Sequence, residues 1–289
     1  MRYLATHLTR YSYAETASQC VSEAHITPRV LPWQKVIETN NTIVPEPVVF
    51  IRRQDYFGND VVDFSVFRPH SKLTATARSI VEVEPRDTGG AMRPIPWEDA
   101  RDRLAAQEDE GTMEAYEFIF DSPYVAGAPR LGGYAMQSLT PGRPLAEAAR
   151  ELATRIYQDF KYKPKSTSIH MPLLDVFALR RGVCQDFAHI MIACLRAMGL
   201  SARYVSGYLL THPEPGQERL VGSDASHAWV SVYIPDLPDG AQWCDFDPTN
   251  DRLGWGSPGP DYVTLALGRD YADVSPIRGV IHGGANHTL

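Results

Sequence analysis

Residues 182–209 read GVCQDFAHIMIACLRAMGLSARYVSGYL, and the fold turns on them. Counting from Phe187, the residues Ile190, Met191, Cys194, Leu195 and Met198 fall at i+3, i+4, i+7, i+8 and i+11. That is the period of an α-helix with an apolar stripe. Gly199 stands where a left-handed C-terminal cap is expected, and Cys184 stands at the predicted amino end, just after Gly182. Two predicted strands follow, ARYVSGYLL (202–210) and HAWVSVYIP (227–235), and residues 242–247 read as a third, stopped by Pro248. Upstream, Pro144 suits a helix start, with Leu145, Ala149, Leu152, Ile156 and Phe160 at helical spacing. The expectation is an α+β core in which the cysteine helix packs on an antiparallel sheet.

Further out, residues 1–85 read as all-β. HLTRYSY places His7, Thr9, Tyr11 and Tyr13 on one face of a strand. Segments 42–51, 61–67 and 73–84 are rich in Val, Ile, Phe and Thr. The first two are separated by DYFGND, whose Gly58-Asn59 is a hairpin signal. This spacing predicts an antiparallel β-sandwich. Residues 85–112 carry Pro85, Gly89, Gly90, Pro94 and Pro96 and then WEDARDRLAAQEDEGT, read as a linker with one short exposed helix. Two domains are expected: a β-rich one with its linker over 1–112, and the α+β core over 113–289.

Composition narrows the function. The net charge is −7 over 289 residues, which disfavours a nucleic-acid partner because neutralising phosphates needs a basic face. No apolar run suits a leader peptide or a membrane span, so a soluble cytoplasmic protein without a membrane partner is expected. Cys20, Cys184, Cys194 and Cys244 form no CxxC pair, so neither zinc nor disulfides are signalled. YVSGY lacks the first glycine of a GxSxG elbow. There is no GxxxxGK[ST], HExxH or EF-hand pattern either, and the expectation is no metal and no cofactor.

Three residues carry candidate chemistry. At a helix amino terminus, unpaired N–H groups and the helix dipole stabilise negative charge, so a thiol at Cys184 is a candidate nucleophile. The bland alternative is a small buried apolar residue, which is the reading given to mid-helix Cys194. His227 opens a strand whose Ala228, Val230, Val232 and Ile234 form the core face. His227, Trp229, Ser231 and Tyr233 share the other face, which aims His227 away from the deepest packing and toward a cleft as a candidate general base. The bland alternative is a structural histidine at a strand start. A base needs an acceptor for its second N–H. Asp247 and Asp245 share a strand face at the end of 242–247, and spacing alone does not choose between them. Asp186 reads as a structural helix-start residue, and His189 points away from Cys184. Tyr208, Trp229 and Tyr233 are candidates either for a cleft lining or for the core.

GVCQDFAHIMIACLRAMGLSARYVSGYL, SHAWVSVYIP and FDPTN together resemble the bacterial transglutaminase-like proteins of the papain-like superfamily. The resemblance implies a papain-like transglutaminase core with a triad of Cys184 as nucleophile, His227 as base and Asp247 as orienting residue, which sets Asp245 aside. The amino-terminal half resembles the family's β accessory domain through His7-Thr9-Tyr11, Pro28, Gln34, Asp55, Phe57-Gly58-Asn59 and Pro69-His70. GRDYADVSPIRG (268–279) resembles its carboxy-terminal signature. One departure is that the family pattern leads one to expect a further β-strand where the chain stops at Leu289. The implied activity is cysteine-dependent hydrolysis of peptide or side-chain amide bonds through a thioester, on a peptide or protein substrate. Two other readings are a protein-glutamine acyltransferase, which takes a primary amine acceptor, and a non-catalytic peptide-binding scaffold.

Overall fold

The computed structural model describes residues 1–84, 94–210, 226–235, 237, 242–285 and 287–288 of the chain. It divides into two compact units. One comprises 1–84, 263–266 and 274–289, the other 85–262 and 267–273. The division differs from the expected break at 112 in two ways. The carboxy-terminal stretch rejoins the β unit, and the helix Trp97–Ala106 (α1) belongs to the other unit, because Trp97, Ala100 and Leu104 are buried. The expected exposed linker helix is therefore an anchored one.

The β unit is one antiparallel sheet organised by a single long strand. β1 (Arg2–Ala24) pairs with β5 (His70–Val83) along its first half and with β4 (Asp60–Val66) near its end. The register shifts between Ser12 and Ala17. β2 (Gln34–Val44) adds to β5, and β3 (Val49–Gln54) adds to β4. The predicted strand 42–51 is thus two strands, split where Pro45 and Pro47 cannot donate to a ladder. The carboxy-terminal strand Ile277–Gly283 pairs with β1 from Ala17 to Ala24. Inward residues from several strands, among them Tyr13, Cys20, Ile43, Phe64 and Leu73, meet in one apolar cluster. The sequence features of this unit have visible work. Gln34 donates to the Thr264 carbonyl at 2.8 Å and accepts from its N–H at 2.8 Å. Gly58 takes φ +70° in the β3–β4 turn, where a side chain would be strained.

The second unit is α+β. Its helices continue with α2 (Glu110–Tyr116), α3 (Pro129–Ala135), α4 (Leu145–Asp159), α5 (Leu173–Leu179) and α6 (Cys184–Arg196). Two short strands, β6 (Lys161–Tyr162) and β7 (Arg181–Gly182), pair in parallel. The sheet is built from β8 (Ala202–Leu209), β9 (His227–Tyr233), β10 (Trp243–Asp247), β11 (Arg252–Trp255) and β12 (Tyr262–Gly268), in the order β11-β10-β9-β8-β12. β8, β9, β10 and β11 are antiparallel neighbours, and α6 packs on β8 and β9. Gly199 takes φ +73° after α6, as its capping position requires.

α6 is buried at every position except Gln185. It is enclosed by α3, α4 and α5 as well as the sheet, so one apolar stripe understates its burial. Its carboxy end is fixed by Arg196, whose guanidinium donates to the carbonyls of Phe120, Ala202 and Arg269 at 3.0, 2.9 and 2.7 Å. A buried cation satisfied by carbonyls in this way locks the helix against the sheet.

Candidate active site

α6 starts at Cys184 because the chain before it cannot continue a helix. Val183 is extended, with φ −119° and ψ 177°. Its N–H is accepted by the Asp186 carboxylate at 2.8 Å, and the same oxygen accepts from the Thr167 hydroxyl at 2.7 Å. Asp186 is thus the structural helix-start residue expected from the sequence. Burial raises its pKa, and the bonds from Thr167 and Val183 act against that. A Cβ at residue 182 would lie 2.5 Å from Asp186 Oδ2, so only glycine lets this carboxylate fold back. The outcome is a cysteine fixed at the first helical position, 8% exposed.

His227 opens β9 and is completely buried, as is Asp247 at the end of β10. His227 Nε2 lies 2.7 Å from Asp247 Oδ2. That oxygen also accepts from the Tyr262 hydroxyl at 2.7 Å and the Asn250 amide at 2.8 Å, while Oδ1 accepts the Thr249 N–H at 2.8 Å. Burial alone would raise the Asp247 carboxyl. The His227 charge, with hydrogen bonds from His227, Asn250 and Tyr262, reverses this and holds it below its ordinary value. For His227, burial acts to lower the pKa, but Asp247 and then Cys184 outweigh it and raise it well above the usual histidine range. The remaining nitrogen, Nδ1, is buried and has no partner in ordinary hydrogen-bond geometry. Cys184 lies near the ring, and its charge acts to raise the His227 pKa.

The structure joins His227 to Asp247, with Cys184 near enough to the ring to act on its charge, and it gives the alternatives other partners. Asp245, on the same face of β10, instead accepts from the Trp229 indole at 2.9 Å. Cys194 is fully buried, and burial pushes its thiol up to about 12. His189 accepts the Tyr271 N–H at 3.2 Å and stacks on Tyr124. Trp229 and Tyr233 are core residues, not cleft lining. One expectation is corrected here. The His227 face of β9 is not open, because Val205, Leu209, Trp229, Tyr262 and Leu267 form a second apolar cluster on it. Tyr262 was not legible as a site residue because it belongs to no motif. Asn250, by contrast, is the last residue of FDPTN. Among the described residues, no group of three or more His, Cys, Asp or Glu is arranged to hold a metal ion.

Comparison with known proteins places the chain in a family. The transglutaminase-like superfamily model matches residues 134–248, and the bacterial transglutaminase-like N-terminal region matches residues 3–82. The uncharacterized protein Rv2569c of Mycobacterium tuberculosis is 42% identical over 295 residues, spanning 100% of this chain and 90% of the relative. The uncharacterized protein ML0607 of Mycobacterium leprae is 31% identical over 285 residues, spanning 98% and 94%. A crystal structure of a candidate cysteine protease from Cytophaga hutchinsonii shares the fold, with a TM-score of 0.71 and 20% identity over 100% of this chain and 89% of that one. The chain belongs to the transglutaminase-like superfamily and carries the bacterial amino-terminal region of that family.

Proposed function

We propose that this protein is a cysteine-dependent hydrolase of peptide or side-chain amide bonds, with Cys184 as nucleophile, His227 as base and Asp247 as the residue that positions the base. One observation carries the reading. His227 is gripped at Nε2 by a buried carboxylate, while Nδ1 is left for the thiol at the start of α6. A raised histidine next to a thiol favours transfer of the thiol proton to Nδ1, giving a thiolate and an imidazolium. The thiolate attacks the amide carbon, and backbone N–H groups at the start of α6 stabilise the oxyanion. The C–N bond breaks as His227 protonates the departing amine, leaving a thioester on Cys184. His227 then takes a proton from water. The hydroxide adds to the thioester, the C–S bond breaks, and acid and thiol are released.

An amine in place of water would give transamidation through the same thioester. A glutamine-containing peptide incubated with the protein and a primary amine, followed by mass spectrometry, separates the outcomes. Cleaved or deamidated product is expected. A dominant amine adduct would replace hydrolysis with acyl transfer, and no reaction of Cys184 with any acyl donor would leave the peptide-binding scaffold as the better account.

A further inference from the structure

The segment flanking the proposed nucleophile is basic in an acidic chain. Between Phe160 and Cys184 stand Lys161, Lys163, Lys165, Arg180 and Arg181 against a single carboxylate, Asp175, while the whole chain carries −7. The segment is stitched to the approach to Cys184. Lys161 N–H donates to the Arg180 carbonyl at 2.9 Å, and Lys163 N–H donates to the Gly182 carbonyl at 2.8 Å. Lys161 pairs with Arg181 and Tyr162 with Gly182 across β6 and β7. The Thr167 hydroxyl completes the attachment on Asp186, in the first turn of α6. The backbone at 161–163 and 181 therefore runs beside Gly182, two residues before Cys184.

These cations lack a structural reason. Lys161, Lys163, Lys165 and Arg181 are exposed, and none makes an ion pair with a described residue. Arg180 differs, for it faces Asp159 at 3.7 Å and packs over Phe160 and Phe177. Two of the nearby carboxylates are taken. Asp159 also accepts from Tyr134, and Asp186 is turned inward. Lys165 is held at φ +61°, an uncommon conformation for a lysine, in a turn closed by Ser166 N–H on the Lys163 carbonyl. Four unpaired cations on two paired segments create a local positive field, which attracts anions and falls with salt.

We propose that the Lys161, Lys163, Lys165 and Arg181 rim selects an anionic substrate, a peptide with carboxylates flanking the amide that Cys184 attacks. This rests on Cys184 being the nucleophile. The probe pair is iodoacetate and iodoacetamide, one anionic and one neutral, with alkylation at Cys184 followed by mass spectrometry. The iodoacetate-to-iodoacetamide rate ratio should exceed that of N-acetylcysteine by about tenfold, shrink toward it in about 1 M salt, and fall several-fold in the double variant Lys163→Glu, Arg181→Glu. The milder Lys161→Gln, Lys165→Gln variant should lower it less. A glutamine peptide flanked by glutamates should also react with higher kcat/KM than one flanked by lysines, and the charge reversal should invert that order. If Cys184 alkylates readily with a ratio that neither salt nor the double variant lowers, the rim proposal alone is overturned. If Cys184 alkylates no faster than buried Cys194, the nucleophile reading fails and the substrate proposal falls with it.

Discussion

Each unit holds a buried histidine against an aspartate, and the two pairs differ in what meets the other ring nitrogen. In the β unit, His25 Nε2 lies 3.2 Å from Asp55 Oδ2, and Nδ1 lies 3.2 Å from the Ser275 carbonyl. Asp55 also accepts the N–H groups of Phe57 and Asn59 and the Asn59 amide, so the pair belongs to a turn. Arg29 braces the same turn through Asn59 and the Phe57 carbonyl. In the α+β unit, Asp247 grips Nε2 of His227 at 2.7 Å and Nδ1 is buried without a hydrogen-bond partner. A histidine bonded at both nitrogens is a structural brace. One bonded at a single nitrogen suits the proton transfer proposed for His227.

The largest effect that would break this contrast is at His227. His227→Ala should slow acylation of Cys184 by p-nitrophenyl acetate by about a thousandfold or more. A stopped-flow record of nitrophenol release checks it, and a loss under about tenfold would remove His227 from the mechanism. Asp247→Asn comes next, at about a hundredfold, because the ring loses its anionic anchor and its preferred tautomer. Tyr262→Phe removes one of several bonds to Asp247 and should cost about tenfold or less, read in the same assay. Asp55→Ala sharpens the contrast from the other side. It should lower stability by about 2–4 kcal/mol in urea unfolding, yet leave the acylation rate per folded molecule unchanged.

The His227–Asp247 pair also has a pH signature in stability. His227 is raised in the folded state, so its contribution is complete below about pH 6.5 and fades as pH rises through the folded value. Asp247 is lowered, so its contribution is present above about pH 4 and fades as pH falls through the folded value. The stability difference between wild type and Asp247→Asn should therefore be greatest between about pH 4 and 6.5 and shrink on either side. Denaturant melts at acidic, mildly acidic and basic pH would reveal a flat difference if the pair were uncharged.

Much of this was legible in the chain because local rules and tertiary packing agree there. The period from Phe187 to Met198, the glycine at 199 and the proline at 248 set α6 and β10 within a residue or two. The hairpin signal at Gly58-Asn59 holds for the same reason, since its backbone needs a positive φ. The choice of Asp247 over Asp245 was not legible from spacing, since both point to one side of β10, and it took the family resemblance to make it. Geometry separates them by what they meet: Trp229 claims Asp245, and His227 claims Asp247. The burial of His227 was misread because alternation marks only the more apolar face of β9, and here the other face is covered too. The return of residues 274–289 to the β unit is a long-range pairing that no local pattern encodes.

The most direct test is the pH profile of iodoacetamide alkylation at Cys184 and Cys194, mapped by mass spectrometry in wild type and His227→Ala. The account predicts that Cys184 alkylates well below the pH at which an ordinary thiol becomes reactive, about 8.5. His227→Ala should abolish that advantage, and Cys194 should stay inert in both proteins. A Cys184 as slow as Cys194, or one indifferent to the loss of His227, would contradict the central claim.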